Sequence, residues 1–132
     1  MTDVVLQPKL LQLETYLYTF DDGHTIRWNI TQAVSYVQGL PLSAAVPIPR
    51  ADLQVFVDNN EPDPARYDLV DCRVPGIAAP ILSEGAVVYT LIDGNHRAGR
   101  ALRDGLPFSA YILTDEASRS CIIHCTNWSY VP

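Results

Sequence analysis

The sequence predicts a single α+β domain with a small mixed sheet, short helices and an N-terminal β-hairpin extension. The chain has 132 residues, a length that suits one hydrophobic core. Hydrophobic residues make up 48% of it and charged residues 18%, as is typical of globular proteins. Segments with the two-residue period of strands alternate with segments that have the helical period, which favours a mixed architecture.

The first predicted element is a β-hairpin over residues 15–30, TYLYTFDDGHTIRWNI. Large apolar side chains alternate along both arms, and Asp22-Gly23 supplies the positive φ angle that a tight hairpin turn needs. Thr31 is the predicted N-cap of a short helix, TQAVSYVQ, which ends at Gly39.

The middle of the chain is rich in proline. The segment from Pro41 to Pro80 holds seven of the ten prolines, so extended pieces and turns are expected to dominate it. VPIPRADLQVF predicts a short strand followed by a helical or extended turn, and a short helix is expected near residues 65–70. Apolar pieces at 77–82 and 86–92, separated by a turn at Gly85, predict two further strands.

A well-defined helix follows Asn95. Ala98, Ala101 and Leu102 share one of its faces at i, i+3, i+4 spacing. Gly105 is the predicted residue that ends it, with Pro107 close behind. Residues 108–113, FSAYIL, then predict a strand, and residues 120–130 a last one.

Charge and hydropathy restrict the function and the compartment. Nine basic and fifteen acidic residues give a net charge of −6, which disfavours nucleic acid as a partner because phosphate backbones repel an acidic protein. No apolar run reaches the roughly 18–20 residues of a membrane span. The first residues, MTDVVLQPKLLQ, lack the basic-then-apolar order of a signal peptide. The predicted location is the cytoplasm, with which three cysteines are consistent.

The segment CIIHC, residues 121–125, resembles a metal-binding motif. On the predicted strand, Cys121 and Cys125 share a face about 13 Å apart, at ~3.3 Å per residue. His124 points to the opposite face of that strand, so one metal ion cannot reach all three side chains. The prediction is that these thiols are buried and structural.

The stretch LIDGNHRAGRAL, residues 91–102, places a glycine, a histidine and an arginine where a strand passes into a helix. The first turn of a helix presents unpaired N–H groups and a positive dipole end, which together attract anions. Gly94 permits close approach of an anion, and Arg97 can contact two phosphate oxygens. His96 can donate from its ring, and Arg100 lies one turn further along. Alternatively, Asn95 only caps the helix, and His96 and Arg97 are solvated.

A longer segment, PILSEGAVVYTLIDGNHRAGRALRDGLPFSAYIL, resembles the core of the ParB/sulfiredoxin superfamily. In that superfamily a strand ends in a Gly-x-[His/Arg]-Arg box, a helix follows, and a short strand returns. VPIPRADLQVF is similar to the opening strand of the superfamily. The resemblance covers residues 46–114. Within the one domain, 1–132, it leaves residues 1–45 as a hairpin and helix extension and residues 115–132 as a C-terminal strand.

The resemblance implies a phosphate pocket for ATP, ADP or CTP, with magnesium. The positions that carry over are Gly94, Asn95, His96 and Arg97. Asn95 stands where sulfiredoxins have their catalytic cysteine, so reduction of a sulfinic acid is not expected. The chain ends about 20 residues after the return strand, so the DNA-binding and dimerisation segments of partition proteins are not expected either. Nucleotide hydrolysis and phosphoryl transfer to a small-molecule acceptor remain.

The catalytic residue is left open by the sequence. Phosphoryl transfer usually needs a carboxylate, for magnesium or for the proton of the nucleophile. Asp93 is the carboxylate nearest to the box and the candidate magnesium ligand. Spacing does not choose among four others, Glu61, Asp63, Asp68 and Asp71.

A second hypothesis is a non-enzymatic interaction or regulatory module that keeps the box for ligand binding or folding. The aromatic hairpin would then cover a protein partner or a second copy of the chain, as in a homodimer. A nuclease, the third hypothesis, fits poorly with the net charge of −6.

Overall fold

A computed structural model describes residues 14–132 of the chain. They form an α+β domain, as the sequence predicts. The helices are α1 (Ile30–Val37), α2 (Arg50–Asn60), α3 (Asn95–Asp104) and α4 (Asp115–Cys121). The strands are β1 (Thr15–Thr19), β2 (Thr25–Asn29), β3 (Val46–Pro47), β4 (Gly76–Ser83), β5 (Ala86–Asp93), β6 (Ser109–Ile112) and β7 (Ile122–Cys125). Short 3₁₀ helices lie at Leu42–Ala44, Pro64–Leu69 and Trp128–Tyr130.

The strands form two sheets, where the sequence predicted one. The first is mixed, in the order β3-β6-β4-β5, with β4 parallel to β6 and antiparallel to β5. The second is antiparallel, in the order β1-β2-β7, so the predicted hairpin does form. It pairs with a strand almost one hundred residues later in the chain, and an alternating pattern does not reveal a pairing over that distance.

The mixed sheet is covered on both faces, which explains the continuous apolar run of β4. Ile77, Ala79 and Ile81 pack against a cluster centred on Trp28 and Ile30 of the hairpin and α1. The opposite face contributes Leu91, Phe108 and Ala110 to a second cluster, in which α2 and α3 contribute Leu53, Phe56, Ala98 and Ala101. The strand ends of this sheet are therefore fixed between two layers, and these ends position the candidate site.

The first helix begins earlier than predicted. Its N-cap is Asn29, whose side chain accepts a hydrogen bond from the Gln32 N–H at 2.9 Å. Thr31 lies inside the helix, and its hydroxyl accepts a hydrogen bond from the Glu14 N–H instead. The prediction of Thr31 as the cap was wrong because an equally good cap residue precedes it by two positions.

The C-terminal segment also differs from its prediction as a single strand. Residues 115–121 form α4, which is capped by the Thr114 side chain and carries Asp115 and Glu116 in its first turn. An N-cap threonine followed by two acids favours a helix, and this signal outweighs the apolar residues that follow. Cys121 is thus the buried end of a helix, whereas Cys125 is a half-buried residue of β7. The two cysteines do not share a strand.

Of the helices within residues 14–132, not one combines the length and the apolar character needed to span a membrane. The predicted lack of a signal peptide concerns residues 1–12, which lie outside the described residues.

Candidate functional site

The candidate site lies where β5 ends and α3 begins, and two glycines shape this junction. Gly94, the residue before the helix, has φ of +93°, a left-handed conformation that favours glycine. A Cβ atom at Gly94 would lie 3.0 Å from the Gly76 Cα and 2.8 Å from the Arg97 Nη2. A Cβ atom at Gly76 would in turn lie 2.7 Å from the carbonyl oxygen of Asp93. Both glycines are therefore required for the close packing of this turn.

The first turn of α3 has no side-chain cap among the described residues. The first N–H that bonds within the helix is that of Ala98, which donates to the Gly94 carbonyl at 2.9 Å. The N–H groups of residues 95–97 precede this bond, so they and the positive end of the helix dipole are directed to the space before the helix.

Asn95 does not cap the helix, so that part of the solvated alternative is wrong. Its Nδ2 donates to the Leu91 carbonyl at 3.2 Å, and its Oδ1 accepts from the Asn60 Nδ2 at 2.8 Å. Asn60 in turn accepts a hydrogen bond from the Tyr16 hydroxyl, and burial raises the pKa of that phenol. The Asn95 side chain thus links the first turn of α3 to α2 and, through Asn60, to the hairpin. Because this side chain is engaged, the group of Asn95 that remains for a ligand is its backbone N–H.

A cleft of about 340 Å³ opens at this first turn, and we call it the α3 cleft. One wall consists of residues 93–97, including the predicted Gly94, His96 and Arg97. The other wall consists of Val70, Asp71 and Val74 from the proline-rich segment. Its volume is within the range of about 300–1,000 Å³ that is usual for small-molecule sites.

Arg97 is the cationic group of the α3 cleft. Its Nη2 lies 3.3 Å from the Asp93 Oδ2, and its side chain is only 19% exposed. Its Nε is buried and has no hydrogen-bond partner within residues 14–132. A buried donor without a partner costs about 1–3 kcal/mol, so a small local shift that lets an anion accept from this guanidinium would recover energy. Arg97 thus lines the cleft, and its role in binding phosphate stays a prediction.

Arg100 lies outside the α3 cleft, although the sequence predicted that it would lie beside His96 and Arg97 in the phosphate site. Its Nη1 donates to the Val70 carbonyl at 2.8 Å, and its Nε lies 3.4 Å from the Asp104 Oδ2. Spacing along the helix put it beside His96, but these contacts turn its guanidinium toward the proline-rich segment. Arg100 therefore fixes the second wall of the cleft and does not line it.

Two of the five candidate carboxylates line the α3 cleft, namely Asp71 and Asp93. Hydrogen bonds from the Arg73 side chain and N–H lower the pKa of Asp71 from 3.8 to about 2. Asp68 pairs instead with Arg103 at 2.7 Å, outside the cleft. Within residues 14–132, no three His, Cys, Asp or Glu side chains are grouped as metal ligands. Residues 14–132 therefore place two carboxylates in the cleft, and a metal there would take other ligands from water and phosphate.

A second cleft, of about 480 Å³, adjoins the first, and we call it the α1 cleft. Val74, Asp93 and Arg97 line both clefts. Its remaining lining is mostly apolar and comes from α1, from the segment after it and from Pro75, Ile77 and Tyr111. The sequence did not predict this cleft, because its walls come from segments that are far apart in the chain. The sequence did contain one signal for it, because two leucines, Leu40 and Leu42, flank Pro41 in a segment predicted to be a turn.

Comparison of the chain with protein-family models, with curated proteins and with solved structures found no match. The likeness to the ParB/sulfiredoxin superfamily therefore stays a prediction from the quoted motifs.

Proposed function

We propose that the α3 cleft binds the phosphate groups of a nucleotide, ATP, ADP or CTP, and that the protein hydrolyses the nucleotide or transfers its phosphoryl group to a small acceptor. One observation carries the proposal. An arginine whose buried Nε has no hydrogen-bond partner within residues 14–132 lies in a cleft, at a helix start that has no side-chain cap among those residues. Backbone N–H groups and a guanidinium in this arrangement are donors suited to phosphate oxygens.

The charge of the cleft favours a phosphate that arrives with a cation. Asp93 and Asp71 oppose the positive charge of Arg97, and each carboxylate already has an arginine partner. Magnesium is usually held by one or two carboxylates together with substrate phosphates. Asp93 fits that donor set, and a metal held there would neutralise phosphate charge. The proposal therefore predicts stronger nucleotide binding with magnesium than without it.

The same two carboxylates are the candidates for catalysis. Phosphoryl transfer depends on positioning and on neutralisation of charge, with a carboxylate that orients the nucleophile. Asp71 is exposed at the mouth of the cleft, and its low pKa keeps it ionised at neutral pH. Asp93 is held against Arg97. We assign Asp93 to the metal, and we assign Asp71, which is paired with the exposed Arg73, to orientation of an incoming acceptor.

Binding is tested by thermal unfolding with ATP, ADP, CTP and GTP, each with and without magnesium. A ligand at about 100 times its dissociation constant adds roughly 2.7 kcal/mol, or a shift of about 5–10 °C for a domain of this size. Arg97→Ala removes a charge-assisted contact of about 1.5–3 kcal/mol and is expected to weaken binding by roughly 10- to 150-fold. Arg119→Ala is the matched control, because it removes an exposed arginine of α4 that lines neither cleft.

Turnover is tested by the release of inorganic phosphate from the nucleotide that binds. Asp93→Asn is expected to reduce the effect of magnesium on binding, and Asp71→Asn to reduce the turnover rate with binding preserved. If no nucleotide shifts the unfolding transition, or if Arg97→Ala and Arg119→Ala weaken binding equally, the phosphate site is refuted.

A second candidate, the interaction module, is favoured by the outer edge of the mixed sheet. β5 is an edge strand of that sheet, and Val87, Val88 and Tyr89 are 41–49% exposed there. Such edges pair with other strands. If this edge forms a homodimer, sedimentation will show a dimer that dissociates in Val88→Lys and persists in Arg97→Ala.

A further inference from the structure

The α1 cleft exposes apolar surface that the fold does not cover. Four of its lining residues are large apolar side chains with 37–70% exposure, namely Val34, Leu40, Leu42 and Val74. They come from α1, from the segment after it and from the proline-rich segment, yet they face one concave space of about 480 Å³. Apolar residues gathered in a concavity are typical of a ligand site, whereas single exposed apolar residues need no explanation.

The two clefts adjoin at one ion pair. Asp93 and Arg97 line both of them, together with Val74. A ligand whose anionic end lies at the first turn of α3 can therefore extend past the Arg97 guanidinium into the α1 cleft. The molecule must then be charged at one end and apolar at the other.

The lining of the α1 cleft favours a flat aromatic group with polar edges. Tyr111 contributes an aromatic residue to the lining, and most of the other lining residues are aliphatic. Gln38, which is exposed at the end of α1, offers both an amide donor and an amide acceptor. An aromatic base buries its faces against apolar side chains and pairs its edge with an amide of this kind.

We infer that the α1 cleft holds the base of the nucleotide whose phosphates occupy the α3 cleft, an inference that rests on the proposed function. The N-terminal extension thereby becomes part of the binding site, because α1 and the 3₁₀ helix Leu42–Ala44 form one side of the base pocket. Substitutions can then weaken binding of the base and binding of the phosphates separately, because each cleft has side chains that do not line the other.

The experiment compares inorganic tripolyphosphate with ATP and CTP by isothermal titration calorimetry, all with magnesium. Two variants act on the α1 cleft alone. Leu42→Ser removes an apolar side chain that is 70% exposed, and Val34→Trp fills the cleft. Leu69→Ser is the matched control, because Leu69 is also an exposed leucine in a 3₁₀ helix and lines neither cleft.

In the wild-type protein, ATP or CTP is expected to bind at least about tenfold more tightly than tripolyphosphate, since burial of an aromatic group contributes this much. Leu42→Ser and Val34→Trp are expected to reduce that advantage at least about fivefold with the affinity for tripolyphosphate unchanged. Leu69→Ser is expected to change neither value.

Two results overturn the inference, and they are distinguishable. If tripolyphosphate binds as tightly as the nucleotides, or if neither variant reduces the nucleotide advantage, the base lies outside the α1 cleft and the phosphate site stands. If neither tripolyphosphate nor any nucleotide binds to the wild-type protein, the proposed function is wrong and the inference falls with it.

Discussion

Gly99 makes a contact that a single methyl group would break. This residue of α3 packs directly against the Tyr67 ring in the 3₁₀ helix Pro64–Leu69. In Gly99→Ala, the new Cβ atom would lie 2.5 Å from the Tyr67 Cε1 and closer still to Cζ and Oη. Tyr67 has little room to move, because it is 6% exposed, its hydroxyl donates to the Pro62 carbonyl, and the Arg103 guanidinium lies 5.4 Å from its ring centroid.

The size of the effect follows from opposing contributions. Alanine is more favourable than glycine inside a helix by about 1 kcal/mol. Overpacking of a tight contact costs about 1–3 kcal/mol, and loss of the tyrosine hydrogen bond costs about 1 kcal/mol more. The steric effect exceeds the helix propensity, so we expect Gly99→Ala to lower the free energy of unfolding by about 1–3 kcal/mol.

The assay is urea unfolding at 25 °C of Gly99→Ala, Tyr67→Leu and the double variant. Tyr67→Leu removes the atoms that would collide, so in that background the alanine is expected to be neutral or to stabilise by up to about 1 kcal/mol. A Gly99→Ala protein as stable as the wild type would refute the steric reasoning, as would an equal loss in both backgrounds. Because the displaced 3₁₀ helix leads into Val70 and Asp71, Gly99→Ala should also weaken tripolyphosphate binding.

Three further predictions concern the site and the core. Gly94→Ala places a methyl group 2.8 Å from a guanidinium nitrogen at φ of +93°, and urea unfolding should show a loss of about 1–3 kcal/mol. Ser118→Ala leaves the buried Trp28 Nε1 without its acceptor at 3.0 Å, which should cost about 1–3 kcal/mol in the same assay. The low pKa of Asp71 means that this carboxylate stabilises the fold above pH 4 and loses that contribution as the pH falls toward 2. By NMR titration, Arg73→Ala should return the Asp71 pKa toward 3.8.

Local patterns in the sequence predicted the hairpin and α3 well. Alternation of large residues around Asp22-Gly23 determines the hairpin, and glycines at both ends determine the bounds of α3. The strand predicted over residues 120–130 forms only at 122–125, as β7, because the helix that Thr114 caps extends to Cys121. The cap determined where the helix lies, and the apolar residues after it formed the strand.

The candidate site could be predicted in part. Gly94, His96 and Arg97 were found because a strand, a glycine turn and a helix are adjacent in sequence, and they do line one cleft. Arg100 was misplaced, since helical spacing does not reveal the Val70 carbonyl that binds it. The second wall and the α1 cleft depend on packing between distant segments, such as the contact of Tyr67 with Gly99, and spacing along the chain carries no information about these.

The pairing of β2 with β7 bears on how the protein folds during synthesis. The hairpin leaves the ribosome early, but β2 gains its second neighbour only after residues 122–125 have been made. Likewise, the Trp28 indole N–H gains its hydrogen-bond acceptor only when Ser118, ninety residues further along the chain, has been made. Contacts of such long range slow folding, so the hairpin spends most of translation with aromatic surface uncovered. A nascent chain that stalls before residue 118 should therefore be a substrate for chaperones, and Trp28 fluorescence would mark the moment at which its sheet closes.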